Sequence, residues 1–327
     1  MMINVSLVCG RYDRTAALLD GRVGIEGCQV TAVPLTPEET FFRVFTQHEF
    51  DVAELSFSTY LMQTARGECE YVAIPAFVSR AFRHSGFYVR TDRVAQPGDL
   101  RGKRVGVPEY QVTAAVWGRG ILQHEYGIPP SDISWVVGGV EELGRHEKVH
   151  LDCPPGVEIT PAENLPLSGQ LAMGAIDAIL APRAPSCFQS KCQHVGRLFP
   201  DSRSVEAEYF KKTGIFPIMH VVGIRKSLVQ KHPWLAASTM KAFMQARALA
   251  LPSLDDTTAL ATSLPWLNQE AEFTRSVMGE EPWPYGVEKN IKTLEAMLTY
   301  HHEQGLSQRK LALEEVFHRG SLQQFKI

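Results

Sequence analysis

Short apolar runs of strand length alternate with helix-length amphipathic patterns along most of the chain, and this alternation restricts the fold more than any other feature. The first runs are Ile3–Val8, Cys28–Leu35, Asp51–Leu55 and Tyr71–Phe77, with a helical pattern over Glu38–Phe50 among them. Parallel strands need crossover connections, and helices supply them, so the pattern predicts an α/β protein with a largely parallel sheet. Near Pro97-Gly98-Asp99-Leu100-Arg101-Gly102 a turn-rich hinge precedes a new strand, Lys103–Val107, and a helix from Thr113 to Tyr126 closed by Gly127. A second α/β unit is expected to begin there. It continues through Ile133–Val137, a helix after Pro166 ending near Gly174, and the strand Ala178–Leu180. An apolar run at Phe216–Ile224, a helix at Pro233–Leu251 and a C-terminal helix through Lys310–His318 complete the pattern, with no internal repeat.

A chain of 327 residues, 44% hydrophobic and 21% charged, has room for two medium domains with a packed core. A net charge of −3 supplies no positive field to gather phosphates, so neither nucleic acid nor an anionic membrane is an expected partner. Mean hydropathy is −0.12 and no apolar run reaches the ~18 residues of a membrane span. With no basic leader before Gly10, Arg11 and Asp13, the reading is a soluble, cytoplasmic protein. Six dispersed cysteines then read as reduced core thiols.

Two metal-like patterns are decoys on this reading, and no metal is expected. Cys187 and Cys192, with His194 beyond, are spaced one residue too far for the commonest zinc knuckle and have no second pair. His146-Glu147-Lys148-Val149-His150 spells a zinc-protease helix, but Leu151-Asp152-Cys153-Pro154-Pro155 ends any helix at once, and no third ligand follows nearby. There is no glycine-rich nucleotide loop, since Gly118-Arg119-Gly120 lies inside a helical pattern.

Two α/β units, the second inserted into the first, would place a ligand cleft at their interface, and open α/β sheets bind ligands at the carboxyl ends of their strands. The turns there carry polar side chains. Arg11-Tyr12-Asp13-Arg14 follows the first strand, Glu54-Leu55-Ser56 ends the third, and Arg80, Arg83 and His84 follow the fourth. The second unit adds Glu109, Tyr110 and Thr113 at a helix entrance, where Thr113 would cap the helix, and Arg183 past a strand. The planar fork of arginine suits carboxylates, so a small carboxylate ligand is expected. The competing reading pairs these arginines with Glu54, Glu109 and Asp177. His84 and His220 are the candidate proton carriers, against the plainer reading of a histidine in an apolar run as core. Trp117 would stack on an aromatic ligand or sit in the core.

Taken in order, Tyr12-Asp13, Phe50-Asp51-Val52-Ala53-Glu54-Leu55-Ser56, SRAFRHS at 79–85, DLRGKRVGVPEYQVTAAVWGRGIL at 99–122, DAILAPRAP at 177–185 and KTGIFPIMH at 212–220 resemble the 4,5-dihydroxyphthalate decarboxylase family. The resemblance covers about the first 250 residues. It implies the two-lobed fold of type 2 periplasmic binding proteins, with residues 1–95 and 206–327 as one lobe and 96–205 as the other.

What the resemblance implies chemically is a decarboxylation to 3,4-dihydroxybenzoate that needs no organic cofactor. Each carboxylate of the substrate has a hydroxyl para to it, so ionising that hydroxyl drives protonation of the carbon that bears the carboxylate. Arg80, Arg83 and Arg183 would hold the vicinal carboxylates, with Tyr12, Asp13, Ser56, Tyr110, Thr113 and Trp117 lining the site. His84 or His220 would take the phenol proton, and Glu54 or Glu109 would protonate the ring carbon, with the two parts open to exchange. A non-catalytic solute-binding protein, or another enzyme on this fold, is the alternative. A homo-oligomer is compatible with the C-terminal helices.

Overall fold

The computed structural model describes residues 2–145, 149–152 and 154–322. Within them the strands are β1 (Ile3–Cys9), β2 (Cys28–Pro34), β3 (Val52–Ser56), β4 (Tyr71–Arg80), β5 (Phe87–Arg90), β6 (Arg104–Val107), β7 (Ser134–Val137), β8 (Glu158–Pro161), β9 (Ala178–Leu180), β10 (Val195–Arg197) and β11 (Ile218–Arg225). They form a five-stranded sheet, β2-β1-β3-β11-β4, and a six-stranded sheet, β10-β5-β9-β6-β7-β8.

One unit comprises residues 1–80, 220–294 and 311–327 and holds the first sheet. β1 pairs in parallel with β2 and β3, while β11 runs antiparallel to β3. Valine, leucine and cysteine side chains of β1 enter the core, and β3 is buried at all five positions, as expected of a strand covered on both faces. The other unit comprises residues 81–219 and 295–310. In its sheet β9, β6, β7 and β8 are parallel, and β5 runs antiparallel to both of its neighbours, β9 and β10. Both sheets are therefore mixed, which corrects the expectation of a largely parallel sheet: β11 joins its sheet only after all the strands of the other unit and runs antiparallel to β3, and β5, a few residues after β4, pairs antiparallel with β9.

The crossings between units fall at 80/81 and 219/220, not at 95/96 and 205/206. β5 pairs with β9 and β10, which draws residues 87–90 into the second sheet. Residues 295–310 join the same unit because Gln304 is bound into it: its Oε1 accepts from Arg119 Nε at 2.8 Å and its Nε2 donates to the Val116 carbonyl at 2.9 Å.

Local differences have local causes. The helix expected over 38–50 is α-helical at Pro37–Phe42, widens to a π-turn at Arg43–Gln47 and stops at His48 in the left-handed region (φ 51°). The expected C-terminal helix shrinks to Leu313–Val316. Beyond it the chain extends beside β4, where the His318 amide donates to the Ala73 carbonyl at 2.8 Å and Phe317 is buried.

Cys9, Cys28, Cys69, Cys187 and Cys192 are free thiols. His146, Glu147 and Lys148 of the zinc-like pattern, and Cys153, lie outside the described residues. His150 is exposed, 3.3 Å from Asp152. No described helix is long and apolar enough to cross a membrane.

Candidate active site

A carboxylate in the middle of a strand buried on both faces must find its partners inside the protein. Glu54, 0% exposed at the centre of β3, has three. The Gly10 amide donates to Oε2 at 2.7 Å, and the Tyr12 hydroxyl donates to Oε1 at 2.9 Å. His220 Nδ1 stands 2.5 Å from that same Oε1.

Strand register explains the last contact. Val222 lies opposite Glu54 and His220 opposite Ser56, so Glu54, Ser56 and His220 share one face of the sheet, with the first and last on a diagonal. Phe41 meets the imidazole edge-on at 4.8 Å, and the side chain of His220 keeps 16% of its surface accessible. Ser56 is buried and accepts from the Thr59 hydroxyl at 3.2 Å.

The turn after β1 is built to bring Tyr12 back to Glu54. A Cβ at residue 10 would lie 2.4 Å from the Tyr12 ring, so only glycine lets the phenol fold over this position. The Thr15 hydroxyl donates to the Gly10 carbonyl at 2.7 Å and accepts from the Tyr12 amide at 3.0 Å, which locks the turn.

Charge follows from this packing. Burial pushes the Glu54 carboxyl up, but the hydrogen bond and charge of His220, the Gly10 amide and the Tyr12 hydroxyl outweigh it and hold the group below its ordinary range. Burial first, then the Glu54 charge, raises both the Tyr12 phenol and the Cys9 thiol, so both stay protonated. Glu54 is therefore an ionised hydrogen-bond acceptor. That arrangement suits a hydrogen-bond acceptor more than the acid expected to protonate a ring carbon, because a carboxyl held low has little proton to give near neutral pH.

Asp13 and Arg80 also fall in this unit. Asp13 is exposed and paired with Arg14 at 3.0 Å. Arg80 is buried at the end of β4, and its Nη1 donates to Asn290 Oδ1 at 2.8 Å and to the Pro284 carbonyl at 3.3 Å. Desolvation lowers its pKa to about 9. These contacts give Arg80 a share in holding the 284–290 segment against β4.

The remaining candidates lie in the second unit. Arg83 is half-buried, donates from Nε to the Met219 sulfur at 3.2 Å, and has its pKa lowered to about 10 by burial, with the nearby Glu206 charge opposing. His84 is buried between Phe199 and Tyr209, whose rings lie 5.1 Å away and edge-on. Burial lowers it to about 4, so the ring is neutral among its aromatic neighbours, whereas the histidine of the apolar run, and so of the core reading, is His220. Glu109 is buried and accepts from Arg145 Nε and Nη2 at 2.9 and 2.7 Å, while Asp177 pairs with Arg93 at 3.0 Å. Tyr110 packs under the Arg119 guanidinium at 3.7 Å and against Trp135. Trp117 is wholly buried, donating to the Ile218 carbonyl at 2.9 Å. Both rings are core. Thr113 is buried as the first residue of the helix Thr113–Tyr126, whose N-cap is Val112, so the expected threonine cap is corrected: the turn begins one residue earlier. Arg183 is exposed.

Several functional-looking residues escape a reading of the sequence. Gly10 acts only through a close approach in space. Glu206, on the helix Ser202–Thr213, accepts from the Ser85 amide at 2.9 Å and is raised by burial despite Arg83 and Arg197 nearby. Its signal, a glutamate on a polar helix, is shared with many surface residues. Arg14 lies in a turn singled out for its polarity, yet nothing in the spacing sets it apart.

No protein-family model matches the chain. Of solved structures, the periplasmic sulfonate-binding protein SsuA of Methylobacillus flagellatus KT aligns with a TM-score of 0.53 at 13% identity, covering 97% of this chain and 91% of its own. The periplasmic aliphatic sulphonate binding protein SsuA of Escherichia coli gives 0.52 at 13% identity, covering 100% and 94%. These neighbours establish the periplasmic-binding-protein fold. A 4,5-dihydroxyphthalate decarboxylase of Pseudomonas putida is 44% identical over 211 residues, covering 64% of this chain and 82% of its own. The enzyme of the same name from Comamonas testosteroni is 45% identical over 327 residues, 99% of both chains. A match of that extent takes in β1, β3 and β11 alike, and the chain belongs to the 4,5-dihydroxyphthalate decarboxylase family.

Proposed function

We propose that this chain decarboxylates 4,5-dihydroxyphthalate, or a closely related aromatic carboxylate, to 3,4-dihydroxybenzoate by protonating the ring. The observation that carries the chemistry is the Glu54–His220 pair: a buried carboxylate held ionised against an imidazole with an accessible edge. With Nδ1 engaged by Glu54, Nε2 is the nitrogen left to handle a proton. Glu54 fixes the ring's orientation and is the counter-ion of the imidazolium present whenever His220 carries the proton, the part a buried carboxylate plays behind a catalytic histidine.

On this reading His220 delivers the proton, which exchanges the parts first given to histidine and glutamate. The substrate hydroxyl para to the departing carboxylate loses its proton to water, and its electron pair feeds the carbon bearing that carboxylate. That carbon takes the proton from His220 Nε2. The bond to the carboxylate then breaks, its electron pair returns to the ring, and carbon dioxide leaves. Water reprotonates the oxygen and the imidazole, so the net change is replacement of a carboxylate by one proton, with the substrate as its own electron sink.

Incubation of the purified protein with 4,5-dihydroxyphthalate, following carbon dioxide and 3,4-dihydroxybenzoate with and without a chelator, tests this. Chelator-insensitive product is expected. Absence of product, with thermal stabilisation by an aromatic carboxylate, would move the function to binding.

A further inference from the structure

Arg14 stands next to the Glu54 network and has no part in the proton chemistry. It lies in the helix Asp13–Leu19, directly after Tyr12 and Asp13. Its guanidinium carbon sits 4.4 Å from the centre of the Tyr12 ring and 4.2 Å from that of Trp283. Each neighbour is itself tied down. The Tyr12 hydroxyl donates to Glu54, and Trp283 Nε1 donates to the Phe77 carbonyl at 2.8 Å. Arg14 Nε donates to the next carbonyl of the same strand β4, Val78, at 2.7 Å. The cation is thus held between two fixed rings and a strand, with one chain of contacts running from Trp283 through Arg14, Tyr12 and Glu54 to His220.

A guanidinium has five N–H donors, and the contacts of Arg14 use few of them. Besides Val78, Nη1 meets Asp13 at 3.0 Å, and among the described residues nothing takes a hydrogen bond from Nη2. The Arg14 side chain remains 17% exposed, and Asp13 is 56% exposed, so their ion pair is a weak one that another carboxylate can share or replace. An arginine whose plane is fixed by aromatic stacking loses little freedom when it binds a planar anion.

We infer that Arg14 anchors a carboxylate of the substrate through its accessible edge and sets the preference of this site for an aromatic ring carrying vicinal carboxylates. The inference rests on the decarboxylase reading for the identity of the ligand. Its physical content is a cation connected through Tyr12 and Glu54 to the histidine that handles the proton, so that binding and orientation come from one tied set of side chains.

Calorimetric titration of the parent, Arg14→Gln and Arg14→Lys with phthalate, 3,4-dihydroxybenzoate and catechol isolates the anchor from turnover. Phthalate affinity should fall at least ~30-fold in Arg14→Gln, less for the single carboxylate of 3,4-dihydroxybenzoate, and catechol affinity should be unchanged. Arg14→Lys, which keeps the charge and loses the fork, should fall in between and serves if the glutamine variant does not fold. Retained phthalate affinity in a folded variant, no phthalate binding by the parent, or an equal loss for catechol would overturn the anchor. The decarboxylase reading fails separately: a parent that makes no product yet loses phthalate selectively through Arg14 keeps the anchor and loses the reaction.

Discussion

His220 shares an oxygen of Glu54 with the Tyr12 hydroxyl, whereas His84 lies between the rings of Phe199 and Tyr209. His220 sits near the start of β11 between Met219 and Val221, whereas His84 follows β4 by a few residues and lies between Arg83 and Ser85. Around His220 the fold supplies a fixed negative charge and leaves an edge accessible. Around His84 it supplies aromatic edges, leaves Nδ1 with no hydrogen-bond partner among the described residues, and by burial lowers the group well below its ordinary value despite the charge of Glu125 nearby. One histidine is set against a carboxylate and the other among aromatic rings, and the difference lies in what the elements packed against each contribute.

The largest effect expected from breaking this contrast is on turnover. His220→Asn keeps a polar side chain of similar size and removes the proton carrier, so kcat should fall on the order of 10³-fold with KM little changed. Steady-state kinetics on 4,5-dihydroxyphthalate read this directly, and a kcat within a few-fold of the parent would remove His220 from the chemistry. Glu54→Gln keeps the shape and removes the charge. A fall of about 10²-fold in kcat is expected, smaller than for His220 because the imidazole stays in place without its counter-ion. Should the glutamine variant turn over normally, Glu54 is a structural group only.

His84 sharpens the comparison from the other side, through stability. Its folded pKa of about 4 lies below the ordinary 6.5, so the unfolded chain binds more protons between those values. Stability from this group is therefore whole above pH 6.5 and is lost as pH falls towards 4. At pH 5 the loss is about 2 kcal/mol by linkage. His84→Phe, which suits the aromatic surroundings, should leave kcat at neutral pH unchanged. It should also lose about 2 kcal/mol less than the parent between pH 7 and pH 5 in urea unfolding. Equal acid losses would show that the ring is not held neutral.

How much of this could be read without coordinates differs residue by residue. Glu54 was legible: a lone carboxylate inside Val52-Ala53-Glu54-Leu55-Ser56 cannot be buried without a partner. The alternation of apolar runs and helices also carried the α/β class and most strands to within a residue or two. What His220 gains from Glu54 depends on which strand lies alongside, and β11 pairs with β3 across more than 160 residues of chain. Gly10 and Arg14 matter through approaches of rings in space, which no spacing encodes. The unit boundaries shifted for the same reason, since β5 is short and is assigned by its pairing with β9.

Tyr12 is where the contrast between the two histidines narrows to a single hydrogen bond. Its hydroxyl and His220 Nδ1 compete for the same oxygen of Glu54, while the Gly10 amide holds the other. Tyr12→Phe keeps the ring that stacks on Arg14 and removes only the hydroxyl. Glu54 then loses one of the donors that keep it ionised, so its pKa should rise towards the ordinary value, and its hold on the imidazole should depend more on the His220 bond. Expected is a fall in kcat of about 3- to 10-fold, KM unchanged, and an acid limb of the kcat profile displaced to higher pH. A change in KM without a shift of the profile would place Tyr12 with the ligand and leave the Glu54–His220 pair self-sufficient.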